Sequence, residues 1–177
     1  LLDLLGVHPV GACRTWRDPF AALASLAQDE PDHPLARVDA ASIRAKSPEK
    51  IYCLITGYGT DGPYAGLPTY DSVVQGATGM AGLMLARDGA PSYVPMLICD
   101  HVVGEIAAGS ILAAVIKRRV TGNGASIEIP MFETMAAFVL QEHLAQQSFD
   151  PPVGPAGDQR LLSPHNKPVK TADGWIS

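Results

Sequence analysis

The residue with the clearest capacity for chemistry is Asp100, a carboxylate that follows the short apolar run Met96–Cys99. That run predicts a buried strand or approach segment, and the almost wholly apolar stretch Val102–Ile116 predicts a buried helix. Aspartate is a preferred N-cap residue, so we expect Asp100 at the start of this helix. There the free N–H groups and the helix dipole favour the ionised carboxylate. The residues alone leave two interpretations open, a simple helix cap and a reactive carboxylate.

A glycine-rich loop precedes this region and needs a strand to position it. Ile51–Thr56 predicts a buried strand because it is rich in β-branched and aromatic residues. It leads into Gly57–Pro63, which has the letters G-x-G-x-x-G. That pattern binds a dinucleotide only when its glycines open a helix, which Pro63, Gly66 and Pro68 oppose. We therefore expect a loop at the carboxyl end of a strand, where α/β proteins commonly bind ligands.

Further elements are predicted on both sides of Asp100. Three helices are indicated, Asp39–Lys46, Thr69–Gly79 starting at Tyr70 and Asp71, and Glu133–Gln147, with breaks at Gly79 and Gly82. Alternating residues predict a strand over Ile127–Met131, and Gly122 suits the C′ position of the Asp100 helix. From Phe149 to Pro168 the chain is rich in proline and glycine and predicts an extended connection.

Composition excludes several classes of protein. The 177 residues carry a net charge of -5 and no basic stripe, which argues against a nucleic-acid partner. The three cysteines, Cys13, Cys53 and Cys99, are distant and odd in number, which is typical of reduced cytosolic thiols. The histidines have no metal-ligand spacing, so no metal site is expected. The apolar run 102–116 is short for a bilayer and contains Glu105, so no membrane partner is expected.

From Val38 onward the sequence resembles the class III CoA-transferases, the CaiB/BaiF family that includes formyl-CoA transferase. Six segments match in order: Ile43–Cys53, Gly57–Pro63, Tyr70–Gly79, Asp100–Gly104 with Ile111–Ala114 and Arg119–Gly124, Glu128–Met131, and Thr171–Ile176. The resemblance implies an α/β fold, here the Rossmann-like large-domain portion, in an interlocked homodimer. It also implies three regions: a poorly matched segment 1–37, the core 38–148 with the catalytic aspartate, and a linker 149–177 into a smaller domain. The missing initial Met and the end at Ser177 indicate a partial chain.

The resemblance assigns the chemistry to Asp100. Its carboxylate attacks an acyl-CoA thioester to form a mixed anhydride, CoA thiolate returns to give an aspartyl-CoA thioester, and an acceptor acid takes the CoA. Such a weak nucleophile must be held against the carbonyl, and backbone N–H groups must stabilise the developing oxyanion. The resemblance further implies that coenzyme A enters as substrate, with CoA- or acyl-binding residues at Leu67, Pro68, Thr69, Tyr70, Asp71 and Met131.

Two alternatives remain at this point. A racemase of the α-methylacyl-CoA type uses a second acid or base, usually a histidine, where this chain has Tyr70. A non-catalytic acyl-CoA-binding subunit is favoured by the lack of an Asn-Phe-Arg-Pro-Gly-like segment upstream of Val38, and opposed by Asp100. We expect a cytoplasmic homodimeric transferase acting on acyl-CoA and a small carboxylic acid.

Overall fold

The computed structural model of the protein describes residues 39–177, which form five α-helices, a short 3-10 helix and four strands. The predictions for segment 1–37, Cys13 included, lie outside the described residues. The elements in chain order are α1 Ala40–Lys46, β1 Ile51–Thr56, α2 Asp71–Ala77, α3 Met80–Asp88, α4 Ile98–Thr121, β2 Ala125–Pro130 and α5 Met131–His143. A short 3-10 helix Ala145–Ser148 and the strands β3 Val169–Lys170 and β4 Trp175–Ile176 follow.

The described chain divides into two compact units. Residues 39–53 and 109–127 belong to the first, and residues 54–108 and 128–177 to the second. Strands β1 and β2 are hydrogen-bonded neighbours in one sheet, whereas β3 and β4 form a separate antiparallel hairpin that pairs Val169 with Ile176. In the second unit, α2 packs against α3 and α5. The predicted division at residues 37 and 148 stays a prediction.

Several elements form where the sequence predicts them. Asp39 caps α1 by accepting the N–H of Ser42 at 2.8 Å, and β1 has the predicted bounds, although it is half-buried. Helix α2 starts at Asp71 and ends before Gly79, whose φ of 86° only glycine adopts readily. Strand β2 alternates as expected, with Ile129 buried and Glu128 exposed.

Other predictions were wrong in detail. Gly82 does not break a helix but lies inside α3, with the break at Gly79 supplying the turn. Met131 is not the end of a strand but the first residue of α5, because Pro130 ends the ladder. The run Met96–Cys99 is not a buried strand: Met96 is 51% exposed in a loop, and Ile98 and Cys99 already belong to α4.

The predicted helix after Asp100 is confirmed, but it is longer and more exposed than expected. Its buried residues follow the helical period: Cys99, Val103 and Ala107 are four positions apart, and Ala114 and Val115 follow two turns later. Ile106, Leu112, Ile116 and Val120 are exposed. At 24 residues, α4 is long and apolar enough to cross a membrane by length and composition alone, a test that core helices of soluble proteins also pass. The argument from shortness was therefore wrong, and the expected absence of a membrane partner stays a prediction.

Candidate functional site

Asp100 is the third residue of α4 and not its N-cap. The N–H of His101 donates to the carbonyl of Leu97 at 3.1 Å, so the helix closes its first turn on Leu97. A leucine side chain cannot accept hydrogen bonds, so another residue must satisfy the free N–H groups of the first turn. The prediction that Asp100 caps its own helix is wrong for this reason.

The cap comes from Asp71, the first residue of α2. Its Oδ2 accepts the N–H of Cys99 at 2.7 Å and the N–H of Asp100 at 3.1 Å. Asp71 is only 5% exposed, and a buried carboxylate requires such partners. One consequence concerns the oxyanion donors expected from the sequence. The N–H groups of Cys99 and Asp100 are already bonded to Asp71, so in this arrangement they do not serve a developing oxyanion.

Gln75 holds the other oxygen of Asp71 from one turn further along α2. Its Nε2 donates to Asp71 Oδ1 at 2.6 Å, as residues four apart on a helix can. Its Oε1 accepts the N–H of Val94 at 2.8 Å, and Nε2 also lies 3.3 Å from the carbonyl oxygen of Met96. The same amide therefore binds Asp71 and the loop that precedes α4.

The electrostatics of this turn affect Asp100 and Cys99 in the same direction. Partial burial and the negative charge of Asp71 raise the pKa of Asp100, with a small opposing effect from His101. Burial, Asp71 and Asp100 raise the pKa of the Cys99 thiol to about 12, so this cysteine is a poor nucleophile. Asp100 remains exposed to solvent, and among the described residues its carboxylate accepts no hydrogen bond. It is a free, more basic carboxylate at the surface of a cavity.

A cavity of about 450 Å³ in the second unit brings several of the predicted residues together. Its lining residues are Thr69, Tyr70, Asp71, Ser72, Gln75, Tyr93, Val94, Met96, Leu97 and Asp100. Four of the predicted site residues are among them: Thr69, Tyr70, Asp71 and Asp100. Leu67, Pro68 and Met131 do not line this cavity.

Within this cavity, two side chains differ in their availability to a ligand. Tyr70 is 72% exposed and makes no side-chain cap for α2. The hydroxyl oxygen of Thr69 is buried, and it has no hydrogen-bond partner in the part of the chain that the structure describes.

The loop Tyr93–Leu97 contributes lining residues that the sequence alone does not assign to the site, namely Tyr93, Val94 and Leu97. Their only signal was indirect: Asp71 and Gln75 have the four-residue spacing of a helical pair, and Gln75 can bind a neighbouring backbone. Nothing in the sequence indicated which backbone that would be.

The glycine-rich loop after β1 is held by carboxylates. Gly59 donates its N–H to Glu133 at 2.9 Å, and Thr60 donates its N–H to Glu128 at 2.8 Å. No helix begins until Asp71, as predicted from the prolines. A phosphate would need free N–H groups at a helix N-terminus, so this loop does not have the dinucleotide arrangement. Within residues 39–177, no group of three His, Cys, Asp or Glu side chains is placed to hold a metal ion.

Comparison with known proteins identifies the family to which the chain belongs. The model of CoA-transferase family III matches residues 35–177, and the chain therefore belongs to this family, as the motifs predicted. It is 31% identical over 140 residues to the succinate–glutarate CoA-transferase of Agrobacterium fabrum, covering 78% of this chain and 35% of that one. It is 30% identical over 135 residues to the human succinyl-CoA:glutarate CoA-transferase, covering 73% and 30%.

A solved structure supports the fold. The crystal structure of a CaiB/BaiF family protein from Brucella suis aligns with a TM-score of 0.63 and 28% identity, covering 78% of this chain and 36% of that one. This confirms the predicted α/β class III CoA-transferase fold. The chain spans about a third of the length of the curated relatives that it matches.

Proposed function

We propose that the protein moves CoA from an acyl-CoA thioester to a carboxylic acid, with Asp100 as the nucleophile. The observation that supports this proposal most directly is that two neighbouring aspartates differ in their burial and in their hydrogen bonds. Asp71 is buried and its oxygens are bonded to Gln75, Cys99 and Asp100, whereas the Asp100 carboxylate is free at the cavity. A carboxylate with a raised pKa is the more basic and more nucleophilic of otherwise similar groups.

The reaction balances in four steps. The Asp100 carboxylate attacks the thioester carbonyl, and the C–S bond breaks to give a mixed anhydride and CoA thiolate. The thiolate attacks the aspartyl carbonyl of that anhydride, releasing the donor acid and leaving an aspartyl-CoA thioester. The acceptor carboxylate attacks this thioester and displaces the thiolate again. The thiolate then attacks the acceptor carbonyl, which gives the new acyl-CoA and restores Asp100.

The cavity also suggests how the acyl group binds. In the described part of the chain, its lining includes Tyr93, Val94, Met96 and Leu97 and contains no basic side chain. We infer that an uncharged acyl group is preferred, since a second carboxylate would face Asp71 and Asp100 without a cation. Thr69 lines the same cavity, and its buried hydroxyl has no partner in the described chain. Tyr70 contributes an exposed aromatic side chain to the same cavity.

Most of the remaining assignments rest on the family alone. Leu67, Pro68 and Met131 are proposed to contact coenzyme A or the acyl group at positions outside the described cavity. A homodimer is proposed on the same ground, and a cytoplasmic location is proposed from the three cysteines of the sequence, which are distant and odd in number.

Trapping of the covalent intermediate tests this function. The purified protein is incubated in separate experiments with a donor whose acyl group is uncharged, such as isobutyryl-CoA, and with a donor whose acyl group carries a carboxylate, such as succinyl-CoA. Each sample is then treated with hydroxylamine. We expect a hydroxamate on the peptide that contains Asp100, with the larger yield from the uncharged donor. Asp100→Asn should abolish the hydroxamate.

The matched control is Asp88→Asn, since Asp88 is a surface aspartate paired with Arg87 on α3. This variant should leave the hydroxamate yield unchanged. Binding of every CoA ester without an adduct would contradict the transferase and favour the binding subunit. Deuterium exchange at the α-carbon without an adduct would identify a racemase, with Tyr70 as the second acid or base.

A further inference from the structure

A buried glutamine, Gln75, is the most heavily bonded polar side chain around the cavity. It is 2% exposed, and both ends of its amide are engaged. Nε2 lies 2.6 Å from Asp71 Oδ1, 3.3 Å from the Met96 carbonyl oxygen and 3.4 Å from the Val94 carbonyl oxygen. Oε1 accepts the N–H of Val94 at 2.8 Å. A buried amide with these partners cannot rotate without leaving polar groups unsatisfied.

The partners also determine which way the amide points. The NH₂ end faces three oxygen atoms, and the carbonyl end faces one N–H. Turning the amide over would direct its oxygen at Asp71 and two carbonyls, which are acceptors only. The side chain therefore has one satisfactory orientation, and in it Asp71 is held by Oδ1 while Oδ2 points at the first turn of α4.

We propose that Gln75 is a positioning residue for Asp100, an inference that rests on the proposed function. Its amide fixes the rotamer of Asp71, and Asp71 fixes the backbone that carries Asp100. The same amide anchors the loop Tyr93–Leu97, which contributes four lining residues to the cavity. One side chain thus links the nucleophile to the wall that contacts the acyl group, although Gln75 makes no bond to Asp100 itself.

Two substitutions separate this linkage from a merely structural role. Gln75→Met keeps the length of the side chain and removes its hydrogen bonds. Gln75→Glu keeps the shape and, when protonated, can again donate to Asp71, but when ionised it places a second negative charge against that residue. Val74→Ala is the matched control, because Val74 is the adjacent residue, is 1% exposed and does not line the cavity. It lowers stability without removing a polar contact.

The first readout is amide hydrogen exchange, which requires no activity. In Gln75→Met, exchange at Val94 should rise because its acceptor is lost. Exchange at Cys99 and Asp100 should also rise, by about tenfold beyond the change in Val74→Ala, because their acceptor Asp71 is no longer held. Exchange at Cys99 and Asp100 that matches the Val74→Ala control would overturn the proposal, even if Val94 exchanges faster.

The second readout is the pH dependence of turnover. Gln75→Met should lower kcat more than it raises KM at every pH. In Gln75→Glu, kcat relative to the parent protein should recover as the pH falls and the new carboxyl group becomes protonated. Equal pH profiles for the two variants would overturn the donor role. If the parent protein forms no Asp100 adduct, the proposed function fails, whereas the exchange experiment still decides whether Gln75 positions Asp100.

Discussion

The carboxylate of Asp71 accepts the backbone N–H of Asp100, with 3.1 Å between oxygen and nitrogen. The two residues are 29 positions apart and lie on different helices, α2 and α4. Because Asp71 caps α4, Asp100 is not needed as a cap and its carboxylate stays free at the cavity. The same contact places a negative charge beside Asp100, which contributes to its raised pKa.

Replacing the capping carboxylate should weaken the fold. In Asp71→Asn, the new NH₂ group must face either Gln75 Nε2 or the N–H groups of Cys99 and Asp100, and all of these are donors. An unsatisfied buried donor costs about 1–3 kcal/mol, so we expect a loss of that size in the free energy of unfolding, measured by urea denaturation. The exposed Asp88→Asn should change stability little. An unchanged midpoint for Asp71→Asn would show that Asp71 is not a cap.

The charge of Asp71 should be detectable at its neighbour. Burial and Asp71 both raise the pKa of Asp100, so Asp71→Asn should lower that pKa toward its ordinary value, with the burial effect remaining. Carboxyl carbon shifts in an NMR titration would measure this directly. The pKa of Asp88 should not change, and a rise at Asp100 would contradict the arrangement.

The raised pKa also predicts how stability depends on pH. A folded-state pKa above the unfolded value means that the ionised carboxylate destabilises the fold, and that this penalty vanishes when the pH falls below both values. Asp100→Asn should therefore raise the melting temperature at neutral pH, with a gain that disappears in acid. The corresponding increase in the free energy of unfolding should stay below about 1 kcal/mol because Asp100 is exposed and screened by solvent. A lower melting temperature at pH 7 would show that the carboxylate stabilises the helix.

Local signals explain why much of the fold could be predicted. The β-branched run Ile51–Thr56 gave β1 with its bounds, and Gly122, with a φ of 74°, ends α4 where a C′ glycine was expected. The role of Asp100 as a cap was wrong because a residue's preference for the N-cap does not indicate whether a distant carboxylate occupies the same N–H groups. Asp71 accepts these N–H groups from α2, and neither segment of the sequence alone indicates that the two helices pack in this way.

The cavity was predicted in part for a similar reason. Tyr70, Asp71 and Asp100 belong to recognisable motifs and Thr69 directly precedes one of them, and the structure brings all four to the cavity. The wall formed by Tyr93–Leu97 carries no motif and was assigned partly to a buried strand. Its position depends on the amide of Gln75, whose partners are 19 and 21 residues away in the chain. Long-range hydrogen bonds of this kind leave no periodic pattern in a sequence.

Gly57, in the glycine-rich loop, has no room for a side chain. A Cβ on Gly57 would lie 2.6 Å from Thr69 Cγ2 and 3.3 Å from the Leu67 carbonyl oxygen. Gly57→Ala should displace the Thr69 side chain from the cavity, lower stability by about 1–3 kcal/mol and weaken acyl-CoA binding measured by calorimetry. Gly82→Ala is the control, because Gly82 lies inside α3 with open space around it and should gain about 0.5–1 kcal/mol. Unchanged acyl-CoA binding in Gly57→Ala would show that Thr69 does not contact the substrate.

Gly124, the second glycine of the turn after α4, should not tolerate a larger side chain. Gly124 donates its N–H to the Pro48 carbonyl at 2.9 Å, and a Cβ there would overlap the carbonyl oxygen of Lys50. That neighbour is a backbone atom and cannot rotate away. Gly124→Ala should therefore lower the free energy of unfolding by about 1–3 kcal/mol or more, the usual cost of overpacking. Gly109→Ala has open space within α4 and should gain about 0.5–1 kcal/mol. Urea denaturation of both variants gives the comparison, and equal midpoints would contradict the close approach at Gly124.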